Sequence, residues 1–261
     1  MKQVWVTSID RDPAVVKAVL AIARQYGLAA DGHFWTDDLA KIAWKAPLDR
    51  IADPAVAVWI IIGGVRPAPV SVGFGLTLLA LSVARQRERG PVIVWLDQTA
   101  AMTAAQLPTP LQGAVILPLT APTLGAKLVA AANIPPAVPV PAPYRLAVHA
   151  HEGYGTWLET GPVAASWAGA LAGAAPEGRI VFQGVGPAGQ LPQKAVLAYP
   201  EQGLKLRLGE VEYLAWAVRN LITAADSHYV KIDGAPGSLL FGPYASDDEA
   251  EVFVLKTSCG P

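Results

Sequence analysis

Three groups of side chains have types and spacings that could do chemistry. Asp10 and Asp12 follow a strand-like run at Val4–Ser8, and Asp97 follows another at Pro91–Leu96. Carboxylates at strand ends can hold a cation or a ribose hydroxyl. Gly63-Gly64, where a backbone can approach an anion closely, completes a candidate ligand crevice. The simpler alternative assigns Asp12 to the cap of a helix opened by Pro13, pairs Asp10 with Arg11 and leaves the glycines to turns. These glycines match neither the dinucleotide fingerprint nor the phosphate-loop pattern, which needs a Lys followed by Ser or Thr. The second group is His149 and His151, which a strand would project to one face at a metal-ligand spacing, with Glu152 next to them and His228 as a distant third ligand. Histidine pairs are also common on half-buried strands that bind nothing. The third group is aromatic: Trp157, Trp167 and Trp216 with Tyr154, Tyr199, Tyr213, Tyr229 and Tyr244, which either line a groove or fill a core.

Composition removes several classes of partner and reaction. The chain has 261 residues, 20 Lys+Arg against 21 Asp+Glu and a net charge of −1, so it lacks the phosphate-neutralising excess that nucleic-acid binding uses. A single cysteine, Cys259, excludes a disulfide framework and a cysteine zinc site, and near the chain end it makes a poor nucleophile. Ser8, Ser71 and Ser166 lack the Gly-x-Ser-x-Gly surround of a hydrolase serine. Mean hydropathy is high at +0.35, and Pro67–Ala84 is an uncharged run near spanning length. Its opening Pro-Ala-Pro and its Ser71, Gly73, Gly75, Thr77 and Ser82 argue for a buried helix and against a membrane span. Met1-Lys2-Gln3 before Val4–Val6 is too short for a secretion signal, which favours the cytoplasm.

The elements that must position these residues fall into two halves. Ile134–Pro143 reads IPPAVPVPAP and is expected to be a semi-rigid spacer between a domain at 1–133 and another at 144–261. In the first half, strands at Val4–Ser8, Gly32–Trp35, Ala57–Ile62, Pro91–Leu96 and Ala114–Leu117 alternate with helices. Those helices run from Pro13 to about Tyr26, from near Thr36 through Ala43, from about Gly75 to Glu88, and over Thr123–Ala132. This order predicts an α/β fold, a flavodoxin-like doubly wound five-stranded parallel sheet with its site at the carboxyl ends of the strands. The second half predicts a mostly antiparallel β or α+β domain, with strands at Arg145–His149, Thr156–Glu159, Arg179–Gln183, Ala195–Tyr199, Leu204–Leu208, Tyr229–Ile232, Ser238–Phe241 and Val252–Lys256. Gly209-Glu210 reads as a hairpin turn. Val211–Ala224 fits a helix and an alternating strand equally, and Ala164–Ala175 reads as small-residue bias.

Over Met1–Asn133 the chain resembles a response-regulator receiver domain. Ile9-Asp10-Arg11-Asp12-Pro13-Ala14-Val15-Val16 resembles the acidic start after that family's first strand, and Gly75-Leu76-Thr77-Leu78-Leu79 resembles its third helix. Pro91-Val92-Ile93-Val94 is similar to its fourth strand, and Leu117-Pro118-Leu119 falls where a strand usually ends in a lysine. The family's chemistry needs an acidic pair for magnesium, a phosphoacceptor aspartate, a hydroxyl and that lysine. Here Asp10 matches the first acid, Arg11 stands at the second, Gly63 at the acceptor, Leu96 or Asp97 at the hydroxyl and Leu119 at the lysine. The resemblance therefore implies a pseudo-receiver that keeps the scaffold without the phosphorylation. The TIR domain is a second resemblance, implying NAD cleavage by a glutamate on the helix after the third strand. No acid lies between Ser71 and Arg87, and Glu88 comes only at the helix end.

The sequence thus points first to a non-enzymatic signalling or regulatory protein, with a phosphorylation-incompetent receiver-like domain and a β-rich domain that binds a protein partner or small ligand. No cofactor is called for, neither nucleic acid nor membrane is expected as a partner, and self-association is left open. The alternative is an enzyme, either acting on a nucleotide through Asp10, Asp12 and Asp97 or using a metal at His149 and His151.

Overall fold

The computed structural model describes residues 1–135, 141–244 and 251–260, so the middle half of the spacer expected at 134–143 lies outside the described residues. Two compact units emerge. One comprises Met1–Asp38, Ala43–Pro139 and Cys259–Pro261, the other Leu39–Ile42 and Val140–Ser258.

In the first unit, β1 (Gln3–Ser8), β2 (Ala29–Phe34), β3 (Val56–Ile62), β4 (Val92–Asp97) and β5 (Val115–Pro118) form a parallel sheet in the order β2-β1-β3-β4-β5. This is a doubly wound order, which opens its ligand crevice where the winding reverses, between β1 and β3. Side chains alternate across the sheet. Val4, Val6, Val58, Ile60, Ile62, Val94 and Leu96 pack against Val16, Val19 and Ala23 of α1 (Pro13–Gln25). The same layer meets Leu124, Leu128, Ala131 and Ala132 of a C-terminal helix over Leu124–Asn133. The other face carries Thr7, Trp59, Ile61 and Trp95, all buried, and the Trp59 Nε1–H donates to Thr7 Oγ1 at 2.9 Å.

The uncharged run becomes a helix that starts earlier than the sequence suggests, Val70–Gln86, and is buried around most of its circumference. Such a helix reads apolar on all sides. Among the described residues no helix is long and apolar enough to cross a membrane. Within it Gly75 is required by packing, because a Cβ there would sit 2.7 Å from Cζ2 of Trp35. The helix expected from Thr36 does not form. A 3-10 turn at Ala43–Lys45 and one helical turn, α2 (Leu48–Ile51), stand in that region instead. Ile42 at φ +51°, a left-handed conformation that no right-handed helix contains, interrupts the expected helix, and Pro47 then separates the 3-10 turn from α2. With α2 counted, Val70–Gln86 is α3 and Leu124–Asn133 is α4.

The second unit is antiparallel throughout. Its strands are β6 (Tyr144–His151), β7 (Gly155–Pro162), β8 (Ala170–Ala175), β9 (Gly178–Pro187), β10 (Glu201–Leu208), β11 (Val211–Val218), β12 (Asp226–Gly234), β13 (Ser238–Pro243) and β14 (Phe253–Lys256). They form two sheets, β6-β7-β12-β9 and β10-β11-β8-β13-β14. The sheets face each other where Tyr144 meets Phe241 and Phe253, with ring centroids 4.9 and 4.5 Å apart, and where Gln183 Nε2 donates to Ala217 O at 3.3 Å.

Three local outcomes differ from the sequence reading or settle it. Val211–Val218 is a strand, entered through Gly209 at φ +60°, which suits the first position of a two-residue hairpin turn. Ala170–Ala175, which looked like compositional bias, is a fully buried central strand whose small side chains suit its place between β11 and β13. Ala195–Tyr199 is irregular. It is held by Arg219 N–H to Ala198 O at 2.8 Å and by Asn220, whose Oδ1 accepts from Ala198 N at 2.8 Å.

His228 lies within the sandwich, fully buried beside Gln183 Oε1 at 3.1 Å, and burial lowers its pKa from 6.5 to about 4; burial lowers that of His33 to about 4 as well. Between those values the unfolded chain binds protons that the folded chain does not, so stability falls as pH drops from about 6.5 towards 4. For His228 the whole window is worth about 3 kcal/mol. Melting temperatures measured from pH 7.5 to 4.5 are expected to fall, and His228→Gln, which keeps an N–H donor for Gln183, is expected to flatten that slope.

Candidate functional site

The crevice at the carboxyl ends of β1, β3 and β4 gathers most of the residues singled out in the first half. Asp10 does not pair with Arg11. Its Oδ2 accepts the Val65 N–H at 2.9 Å, and the Ser8 hydroxyl donates to its carbonyl at 2.8 Å, so it ties the end of β1 to the loop after β3. Asp12 is a helix cap: its Oδ1 accepts from Ala14 N at 2.9 Å and Val15 N at 3.2 Å, with Pro13 opening α1.

Gly63 and Gly64 serve close packing. Gly63 N donates to Leu96 O at 2.9 Å and its carbonyl accepts from Gln98 Nε2 at 2.6 Å, pinning the loop to β4. A Cβ on Gly63 would lie 2.8 Å from Trp95 Nε1, so the indole occupies the space a side chain would need. On Gly64 a Cβ would approach Asp10 Oδ1 and Arg66 O to 3.1 Å. Asp97 is buried, and its Oδ1 accepts from Thr99 N at 2.9 Å and Thr99 Oγ1 at 2.8 Å, its Oδ2 from Met102 N at 2.8 Å. Burial pushes its pKa up. The backbone bonds from Met102 and Thr99, the Thr99 hydroxyl and the Ala101 N–H outweigh that, so the carboxyl stays below its usual range.

Between the β3 and β4 loops lies a cavity of about 300 Å³, lined by Gly63, Gly64, Val65, Arg66, Trp95 and Asp97 among others. Arg66 brings its one cation, exposed and without an ion-pair partner among the described residues. Cys259, expected in a frayed tail, is half-buried and also lines this cavity. With Asp10 and Asp97 engaged by the loops they organise, the walls can exclude water and hold a ligand but offer no free carboxylate for acid–base work. No acidic residue lies on α3, and Glu88 follows its end.

The histidine pair meets a different fate. His149 and His151 do share a face of β6, but His149 Nε2 lies 2.6 Å from Glu159 Oε2. His151 Nδ1 accepts the Gly153 N–H at 3.0 Å, which places the ring proton of the neutral imidazole on Nε2 and leaves no lone pair for a metal. His228 aligns with Thr160, an odd number of residues from Lys231, whose partner is Trp157, itself the partner of His149. It therefore lies on the opposite face of the sheet. Among the described residues no group of three or more His, Cys, Asp or Glu is placed to hold a metal.

The sequence reading missed the cluster behind His149. Glu159 is fully buried, yet it takes His149, the Ser227 hydroxyl at 2.8 Å, the Gly189 N–H at 2.8 Å and Arg145 Nε at 3.4 Å. Burial alone would raise its pKa. The bonds from His149, Gly189 and Ser227 prevail and hold it at about 2. The two terminal nitrogens of Arg145 donate in turn to Pro162 O at 3.1 Å, Ala224 O at 3.1 Å, Asp226 O at 2.6 Å and the Ser227 hydroxyl at 2.9 Å. Only strand register could have revealed this: Ala147 pairs with Glu159, placing that carboxylate diagonally between Arg145 and His149.

No protein-family model matches the chain, and no curated protein matches it in sequence.

Two outcomes follow from this geometry. EDTA is expected to leave the melting temperature unchanged, and His151→Gln is expected to shift it only slightly; a chelator-dependent fall would restore the metal reading. Glu159→Gln leaves Arg145 without its buried counter-charge and is expected to cost about 3–5 kcal/mol, read from chemical denaturation.

Proposed function

We propose that the protein is a non-enzymatic signalling or regulatory module of the cytoplasm, in which a receiver-like unit keeps the scaffold of a phosphorylated switch and has replaced its chemistry. The second unit serves as the recognition module for a small ligand or protein partner. One observation carries this reading. At Gly63, where the resemblance calls for a phosphoacceptor, there is no side chain, and the space for one is filled by the Trp95 indole. Two further features support it: Arg11 stands where a second magnesium-binding acid would be, and Leu119, whose N–H donates to Asp97 O at 2.8 Å, stands in place of the lysine. A phosphoryl group arriving here would meet neither a nucleophile nor a full cation site.

The test is incubation with acetyl phosphate and magnesium followed by intact-mass measurement. No adduct is expected, and an acid-labile aspartyl phosphate would overturn the reading. Gly63→Asp is expected to lower the melting temperature by collision with Trp95 and to remain unphosphorylated, which separates this site from one that has lost only its acceptor.

A further inference from the structure

The four-stranded sheet presents a row of side chains that the regulatory reading leaves unused. Register aligns His149 of β6 with Trp157 of β7, Trp157 with Lys231 of β12, and Lys231 with Phe182 of β9. All four share the face that carries Glu159, opposite the buried His228, because side chains alternate along each strand. With neighbouring strands about 4.8 Å apart, the row is about 14 Å long. A water-facing sheet surface ordinarily reads polar. Here Phe182 is 51% exposed in mid-strand, Trp157 is partly exposed, and Tyr154, 43% exposed, extends the surface beside His151.

Most of these groups are held in place before any ligand arrives. The Trp157 indole N–H donates to Tyr154 O at 3.0 Å, and the Phe182 ring meets Trp157 edge-on, centroids 5.6 Å apart at 66°. Glu159 anchors His149 from behind at 2.6 Å, and the His151 ring stacks on Tyr154 at 5.1 Å. Lys231 is different. Its stem runs beside Gly155, where a Cβ would lie 3.1 Å from Cε, and its ammonium has no ion-pair or hydrogen-bond partner among the described residues. Fixed aromatic rings bind at low conformational cost, and an unpaired ammonium between them is a donor in need of an acceptor.

We propose that this face binds a neutral oligosaccharide laid across the strands, one sugar ring covering Trp157 while its hydroxyls take hydrogen bonds from Lys231 and meet His149. A pyranose combines an apolar C–H face, which covers an indole, with a rim of hydroxyls that accept from an ammonium and pair with an imidazole. Charge selects a neutral ligand over a polyanion. Residues 140–258 hold twelve acidic residues against eight basic ones, so a nucleic acid or polyuronate is repelled at range. The proposal rests on reading the second unit as a recognition module and names the ligand class it recognises.

The test is a titration of the full-length, ¹⁵N-labelled chain with cellohexaose, laminarihexaose and maltohexaose, and with a thymidine decanucleotide as the polyanion. The readout is the indole N–H resonance of Trp157, identified by its loss in Trp157→Phe. At least one hexasaccharide is expected to move it saturably. Phe182→Ala and Lys231→Met should each weaken that binding about tenfold, equivalent to about 1.4 kcal/mol, without changing the melting temperature. No response to any of the three sugars, a response to the oligonucleotide alone, or wild-type affinity in both variants would overturn the assignment. Such a failure with acetyl phosphate still inert removes only the ligand class, whereas an aspartyl phosphate removes the regulatory reading whatever the sugars do.

Discussion

The first unit is organised by the burial of β3 on both faces: Val58, Trp59, Ile60, Ile61 and Ile62 are all at or near zero exposure, so helices must cover each side of the sheet. On one side α1 and α4 meet the aliphatic even-numbered residues. The other side carries Trp59, Ile61 and Trp95, all buried, and the bulk of the Trp95 indole sets what the neighbouring strand end can carry. Gly63 continues the Ile61 side of β3, where Trp95 is the paired neighbour of Ile61. A side chain there would collide with the indole, so the packing that stabilises the sheet leaves room only for glycine at this strand end.

The same constraint explains why the strand-end carboxylates are structural. The loops after β3 and β4 carry backbone N–H groups that no neighbouring strand pairs, and these take side-chain acceptors instead. Asp10 supplies one to Val65, and Asp97 supplies them to Thr99 and Met102. A crevice results, but its acids are already engaged in holding it open.

In the second unit the comparable problem is a carboxylate at the centre of a sheet. Glu159 stays ionised because Arg145, His149, Ser227 and Gly189 converge on it from β6, from β12 and from beyond β9. One consequence is orientation: a histidine that would otherwise be free to ligate or rotate is fixed at the end of an exposed row of aromatic and basic side chains. A buried ion network and an exposed surface are thus two sides of one arrangement.

Much of this was legible in the sequence. The continuous apolar run Ala57–Ile62, the cap at Asp12-Pro13 and the strand-like run Val4–Ser8 determined a parallel α/β unit, because these signals depend on near neighbours and side-chain period. The second half also announced itself as antiparallel through its turns and two-residue rhythm. Tertiary structure alone decided what long-range packing and register control. It made a buried strand of Ala170–Ala175 and a strand of Val211–Val218. It also separated His228 from His149 and gathered Arg145, Glu159 and Ser227, residues up to 82 positions apart, around one carboxylate. Pairing partners in an antiparallel sheet are set by which strands meet and in what register, and a slip of one residue sends every side chain to the other face. No local pattern encodes that choice.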